Sequence, residues 1–220
     1  MRALTGALVL TLVCGMAAPA LAFGLPGGDD PAVTRVHEQQ TVLHRQTYAA
    51  AIAVLDSVVL LQKAAGDEAE AARIVEVAKK LKAGDAADPA ALAAAHGEVK
   101  AIAKKLAATE FPSRALSEDE KGWLQEAMTT LGAAGKADLE VAQAAVGLTA
   151  ELLKAGQANP MALMKIKDET TAVKTVTELA TEQAATIKTI YQAVGRFAKS
   201  HHVAPPTREQ IEKAYKALKG

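Results

Sequence analysis

The five histidines are the side chains of this sequence best suited to hold a metal or carry a proton, and their spacing argues for neither. His37 and His44 lie two helical turns apart on one face with Glu38 nearby, whereas metal pairs carried on one helix sit at i, i+3 or i+4. His201-His202 falls where a long helix should end, and imidazolium there favours the negative pole of the helix dipole. His96 flanks an apolar stripe and reads as a boundary residue. Met128, Met161 and Met164 are nominal haem ligands, but methionines at helical spacing serve as core filler. Asp56 interrupts an otherwise apolar segment, Ala49 to Leu61, and has two readings: an outward stripe with Arg45 and Lys63, or a buried carboxylate serving a ligand. The stripe fits better, because Lys63 is two helical turns on and shares the face. The sequence carries no Gly-x-Ser-x-Gly turn, no glycine-rich phosphate loop after a strand and no Glu-x-x-His pair. The expectation is a non-enzymatic protein with no catalytic residue, no metal and no cofactor.

The elements that must position these residues are helices. Asp30-Pro31, Asp88-Pro89 and Asn159-Pro160 each place an Asx side chain at an N-cap with proline in the first helical position. Asp67-x-x-Glu70, Ser117-x-x-Glu120 and Thr207-x-x-Gln210 resemble capping boxes. These starts predict helices near 31–65, 68–83, 89–108, 118–155, 160–201 and 208–219. Apolar seams run through Ile74, Val77 and Leu81, and through Leu92, Ala95, Val99, Ile102 and Leu106. The fourth helix carries Leu124, Met128, Leu131, Ala142, Val146 and Leu153, and the fifth Val173, Val176, Ala180, Ala184, Ile187, Tyr191 and Val194. No alternating run of β-branched residues supplies a sheet. The fold class is therefore all-α: an elongated helical bundle of about six helices, three of them long, with the second and third as a shorter hairpin and the sixth as a docked cap. Gly132 and Gly135 are candidates to bend the fourth helix, and Lys167-Asp168-Glu169 to interrupt the fifth.

Residues 1–22 read as a secretory signal peptide. Arg2 supplies the positive region, Leu8 to Val13 the apolar run, and Ala20-Leu21-Ala22 the cleavage pattern. Bulky Val13 disfavours lipidation at Cys14, so cleavage after Ala22 is expected, with residues 23–29 a flexible leader and 30–220 one helical-bundle domain. Such a protein is exported and, in a bacterium, periplasmic. Removing that segment removes the only cysteine, so neither a disulfide nor a thiol nucleophile remains. Basic and acidic residues balance at 25 each, which gives no surface for nucleic acid. Aromatics make up only 3% of the chain, too few to build a ring-stacking platform.

Half of the residues are hydrophobic, yet few are large enough to fill a bundle centre. Two outcomes follow: a tightly packed bundle with a partner surface, or long helices that splay around an aliphatic cavity. In the second case Leu55, Val58 and Val59 line the cavity, with Val146, Ile187 and Tyr191 from the facing helices, and a lipid or sterol is the expected ligand.

Ala22-Phe23-Gly24-Leu25, the Gln39-Gln40 region opening a long first helix, and the succession of alanine-rich helices resemble exported bacterial helical-bundle proteins, including the periplasmic helical component of bacterial sterol transport. That resemblance implies an apolar small molecule as ligand and a membrane-transport or envelope protein as partner, and carries over no functional residue. Thr207-Arg208-Glu209-Gln210 is similar to the Leu-Thr-x-x-Gln repeats of small periplasmic stress chaperones, although it occurs once and lacks the leucine. The alternative to a carrier is accordingly an interaction, scaffold or chaperone-like helical protein with no internal ligand.

Overall fold

A computed structural model describes residues 31–158 and 163–219, which form six helices and no strand. In chain order they are α1 (Pro31–Ala65), α2 (Glu68–Lys82), α3 (Pro89–Ala107), α4 (Glu118–Ala158), α5 (Leu163–Ser200) and α6 (Arg208–Lys219). The caps act as their chemistry dictates. Asp67 accepts the Glu70 amide and Asp88 that of Ala90. Ser117 with Glu120, and Thr207 with Gln210, close reciprocal boxes. The Arg114 guanidinium beside Glu120 pulls that carboxyl down to about 2. At the end of α5, His202 takes the left-handed conformation (φ 57°) and the Val203 amide returns to the Ala198 carbonyl at 2.9 Å, so His201-His202 does terminate the helix. Helix α5 runs through Lys167-Asp168-Glu169 without a break, and α4 is continuous across Gly132 and Gly135. The Asn159-Pro160 signal, Met161 and the expected signal peptide lie outside the described residues.

The three long helices bury seams with steps alternating between three and four residues. On α1 the seam is Val36, Gln40, Leu43, Thr47, Ala50, Val54, Ser57, Leu61 and Ala64. On α4 it is Leu124, Ala127, Leu131, Ala134, Asp138, Val141, Ala145, Leu148 and Leu152; on α5, Val173, Val176, Ala180, Gln183, Ile187, Ile190, Val194 and Phe197. That period of 3.5 is the heptad of a left-handed supercoil. Arg35 pairs with Glu151 at one end of the α1/α4 contact and Lys63 lies over the Trp123 ring at the other, so these helices are antiparallel. A bond from Gln183 to Thr47 sets the register of α5 against α1, and both helices run from the arm cluster to the body cluster, so they are parallel.

Helix α2 packs on α1, and α3 on α5 and α1, so the two flank the long helices rather than pack on each other as a hairpin; with α6 they thicken one end of this three-helix core. Lys82 of α2 grips Asp56 at 2.9–3.0 Å, which puts Asp56 on the outward stripe. The Tyr48 hydroxyl donates to the Leu81 carbonyl, Phe111 stacks on Phe197, and His96 and Lys100 of α3 reach Glu182 of α5. Helix α6 crosses the outer face of α4, where a Cβ at Gly132 would lie 3.0 Å from Ile211, so glycine permits that approach. The result is a six-helix body, with one large apolar cluster, continued by an arm whose separate cluster comes from α1, α4 and α5 alone. Helix α1 is long and apolar enough to cross a membrane by length and composition, and 72% of its most apolar window is buried in this bundle.

Candidate functional site: a buried polar layer between two apolar cores

The heptads of α1, α4 and α5 place Thr47, Asp138 and Gln183 at one level of the supercoil, and all three are completely buried. Leu131 and Ala134 precede Asp138 on its seam, Val141 and Ala145 follow it, and the polar level separates the body cluster from the arm cluster. The Thr47 hydroxyl returns to the Leu43 carbonyl at 3.0 Å, as threonine does inside helices. The Gln183 amide nitrogen donates to the Thr47 carbonyl at 3.1 Å, tying α5 to α1.

Asp138 is the anomaly. Neither of its carboxyl oxygens has a donor in good hydrogen-bond geometry, the Gln183 amide being its nearest polar neighbour, and the Gln183 amide oxygen has no donor either. Burial pushes the Asp138 carboxyl up to about 8, with neighbouring Gln183 pulling it partly back. A neutral carboxyl removes the conflict, because its O–H is the donor that the Gln183 oxygen lacks. The layer can therefore hold a proton at neutral pH. It can also fix register, since a polar group at one seam position is satisfied only when its partners stand at the same level.

Of the residues predicted to line a cavity, Leu55 and Val58 are fully buried, Val59 and Ile187 nearly so, and Tyr191 packs at the edge of the same cluster. Val146 does not join them. It lies one position past seam residue Ala145 and is 62% exposed on the outer face of α4. Leu153 follows it outward, because the supercoil advances by 3.5 residues per turn rather than 3.6. A surface groove of about 450 Å³ lies elsewhere, between α4 and α6, walled by Gln125, Glu126, Thr129, Gln210 and Lys213.

The histidines have structural surroundings. His44 is buried with its ring N–H toward the Ala87 backbone carbonyl in the α2–α3 loop, a contact that favours the charged ring, and burial, the larger effect, lowers its pKa. His96 is buried with its Nε2 3.2 Å from Glu182, and His201 meets the Pro112 carbonyl at 3.0 Å. Met128 sits in the body core. Among the described residues no group of three or more His, Cys, Asp or Glu side chains is arranged to hold a metal. No protein-family model matches the chain, and comparison with curated proteins and with solved structures returns no match.

Proposed function

We propose that this is a non-enzymatic interaction protein of the bacterial periplasm that docks through the outer face of its three-helix arm. One observation carries the reading: Leu139, Val146 and Leu153 recur every seven residues along α4 and are 58%, 62% and 58% exposed. A helix whose inner seam is already filled gains nothing from leucine and valine on its outer face unless something covers them. The amino-terminal pattern supports export, and the body, braced by α2, α3 and α6, supplies a rigid base for the arm. A photoreactive residue at position 146 should capture a bound protein in intact cells, while one at exposed Lys104 on α3 should not. Equal capture at both positions, or at neither, overturns the reading.

The unpartnered polar atoms of Asp138 and Gln183 favour a second reading, in which a lipid or sterol enters between the long helices and presents one polar group to this layer. The resemblance to the sterol-transport component points the same way. Native mass spectrometry of the exported protein should then show a co-purifying lipid. Val58→Trp separates the cases. In a carrier the ring takes the place of the ligand and stability is kept, whereas in a filled core it costs about 1–3 kcal/mol. Complete burial of Val58 leads us to expect the loss of stability and no lipid in either protein.

A further inference from the structure

We infer that the polar layer is a proton-operated hinge: when Asp138 loses its proton, the arm portions of α1, α4 and α5 separate from one another as a unit while the body stays folded. The place where the bracing of the long helices stops sets the position of the hinge.

The body cluster ends at Tyr48 on α1, Ala137 on α4 and Leu179 on α5, and the arm cluster starts at Leu43, Val141 and Ala180. Three ties from the outer elements end at the same level. The α2–α3 loop meets His44 through Ala87, three residues from Thr47. Helix α3 reaches Glu182, beside Gln183, through His96 and Lys100. Helix α6 finishes with Lys219 on Glu140, two residues from Asp138. Beyond this level the long helices have only one another. Among the described residues the arm cluster is valine, leucine and alanine with no aromatic ring, and Gln40, one heptad before Thr47, puts a further unpartnered polar atom into its seam. The half-exposed Arg35–Glu151 pair that ties α1 to α4 there adds little. A region with few buried apolar contacts opens at lower cost than the rest of a fold.

A neutral Asp138 can donate its O–H to the Gln183 amide oxygen, whereas an ionised one sets two acceptors against each other in an apolar interior. The titratable groups on the surrounding elements are engaged elsewhere. On α1, His44 is held by the Ala87 carbonyl and Tyr48 by that of Leu81. On α5, Glu182 is paired with His96 and Lys100 of α3. Where α6 meets α4, Lys136 and Glu212 pair with each other, and Glu140 with Tyr215 and Lys219. Water is the remaining source of donors, and it reaches Asp138 only if the helices part at this level. Parting on the body side would break the ties just named, so the arm side gives way. The closed arm holds the carboxyl at about 8 against 3.8 for the hydrated group, so each pH unit within that window favours the open arm about tenfold.

Amide hydrogen exchange of the exported protein from about pH 5.5 to about pH 8, with each rate divided by that of the unfolded chain at the same pH, reads this opening. Arm amides at 36–43, 145–152 and 173–180 should be at least about tenfold less protected than body amides at 54–61, 124–131 and 187–194. Their protection should also fall together, by about tenfold for each pH unit. In Asp138→Asn the arm should keep one level of protection across the whole range. Asp138→Leu, which continues the apolar seam, supplies the same comparison should the asparagine variant not fold. Equal protection of arm and body would mean that the bundle opens only as a whole. Arm protection that ignores pH in the wild-type protein, or that falls as steeply in the neutral variant, would mean that Asp138 is no latch. Each of these results overturns the hinge.

Discussion

Asp138→Asn should raise the melting temperature at pH 8 by about 10–20 °C relative to its effect at pH 4, the largest pH-dependent change expected of a single substitution among the described residues. The folded carboxyl titrates near 8, against 3.8 for the unperturbed group, because burial penalises the charged form. Between those values the folded protein keeps a proton that the unfolded chain gives up. Stability must therefore fall as pH rises through that window, by at most about 1.4 kcal/mol per pH unit and by about 5 kcal/mol in all. Below pH 3.8 both states are protonated, and above 8 both are ionised, so the dependence flattens on each side. Asparagine is neutral throughout and offers the Gln183 oxygen an N–H donor, so the variant loses the slope while keeping the contact. Thermal unfolding of both proteins at a series of pH values isolates this group from every other titration. A difference between them that stays constant from pH 4 to pH 8 would mean that Asp138 is ionised in the folded protein.

The same residue marks where the sequence was legible and where it was not. Helix starts could be read because capping is local chemistry: Asp67, Asp88, Ser117 and Thr207 each bond within three residues of themselves. The outward placement of Asp56 was equally accessible, since the surrounding charges share its helical face. Interior assignments on α4 went astray because a straight-helix period accumulates about 20° of error per heptad relative to a supercoil. Over the four heptads from Leu124 to Leu152 the drift carries Val146 and Leu153 onto the expected seam and moves Val141, Ala145 and Leu148 off it. Asp138 was missed because an aspartate does not register in a pattern read from apolar residues. The available signal was the alternation of three- and four-residue steps from Leu131 through Ala134 to Val141 and Ala145, with an aspartate filling the gap. Its partners Thr47 and Gln183 could not be read from any local pattern, because only the register of three helices from distant parts of the chain brings them to one level.

Two substitutions to aspartate test that register directly. Ile187 is 3% exposed and stands level with Ala50 and Ala134, where its Cγ2 would lie 3.3 Å from a Cβ on Gly135. Ile187→Asp removes about 2–3 kcal/mol of apolar burial and leaves a carboxyl with no donor in its place, a further cost of several kcal/mol. The total approaches the whole stability of a typical domain, so the variant should be largely unfolded at 37 °C by circular dichroism. Val146 belonged to the same expected interior, yet Val146→Asp should change unfolding free energy by no more than about 0.5 kcal/mol, because its side chain already faces water. A straight helix with a 3.6-residue period would bury both positions and make both variants unstable. Measuring the two melts side by side thus tests the supercoil itself, since Ile187 keeps its place inside under either period whereas Val146 moves from core to surface only under the heptad.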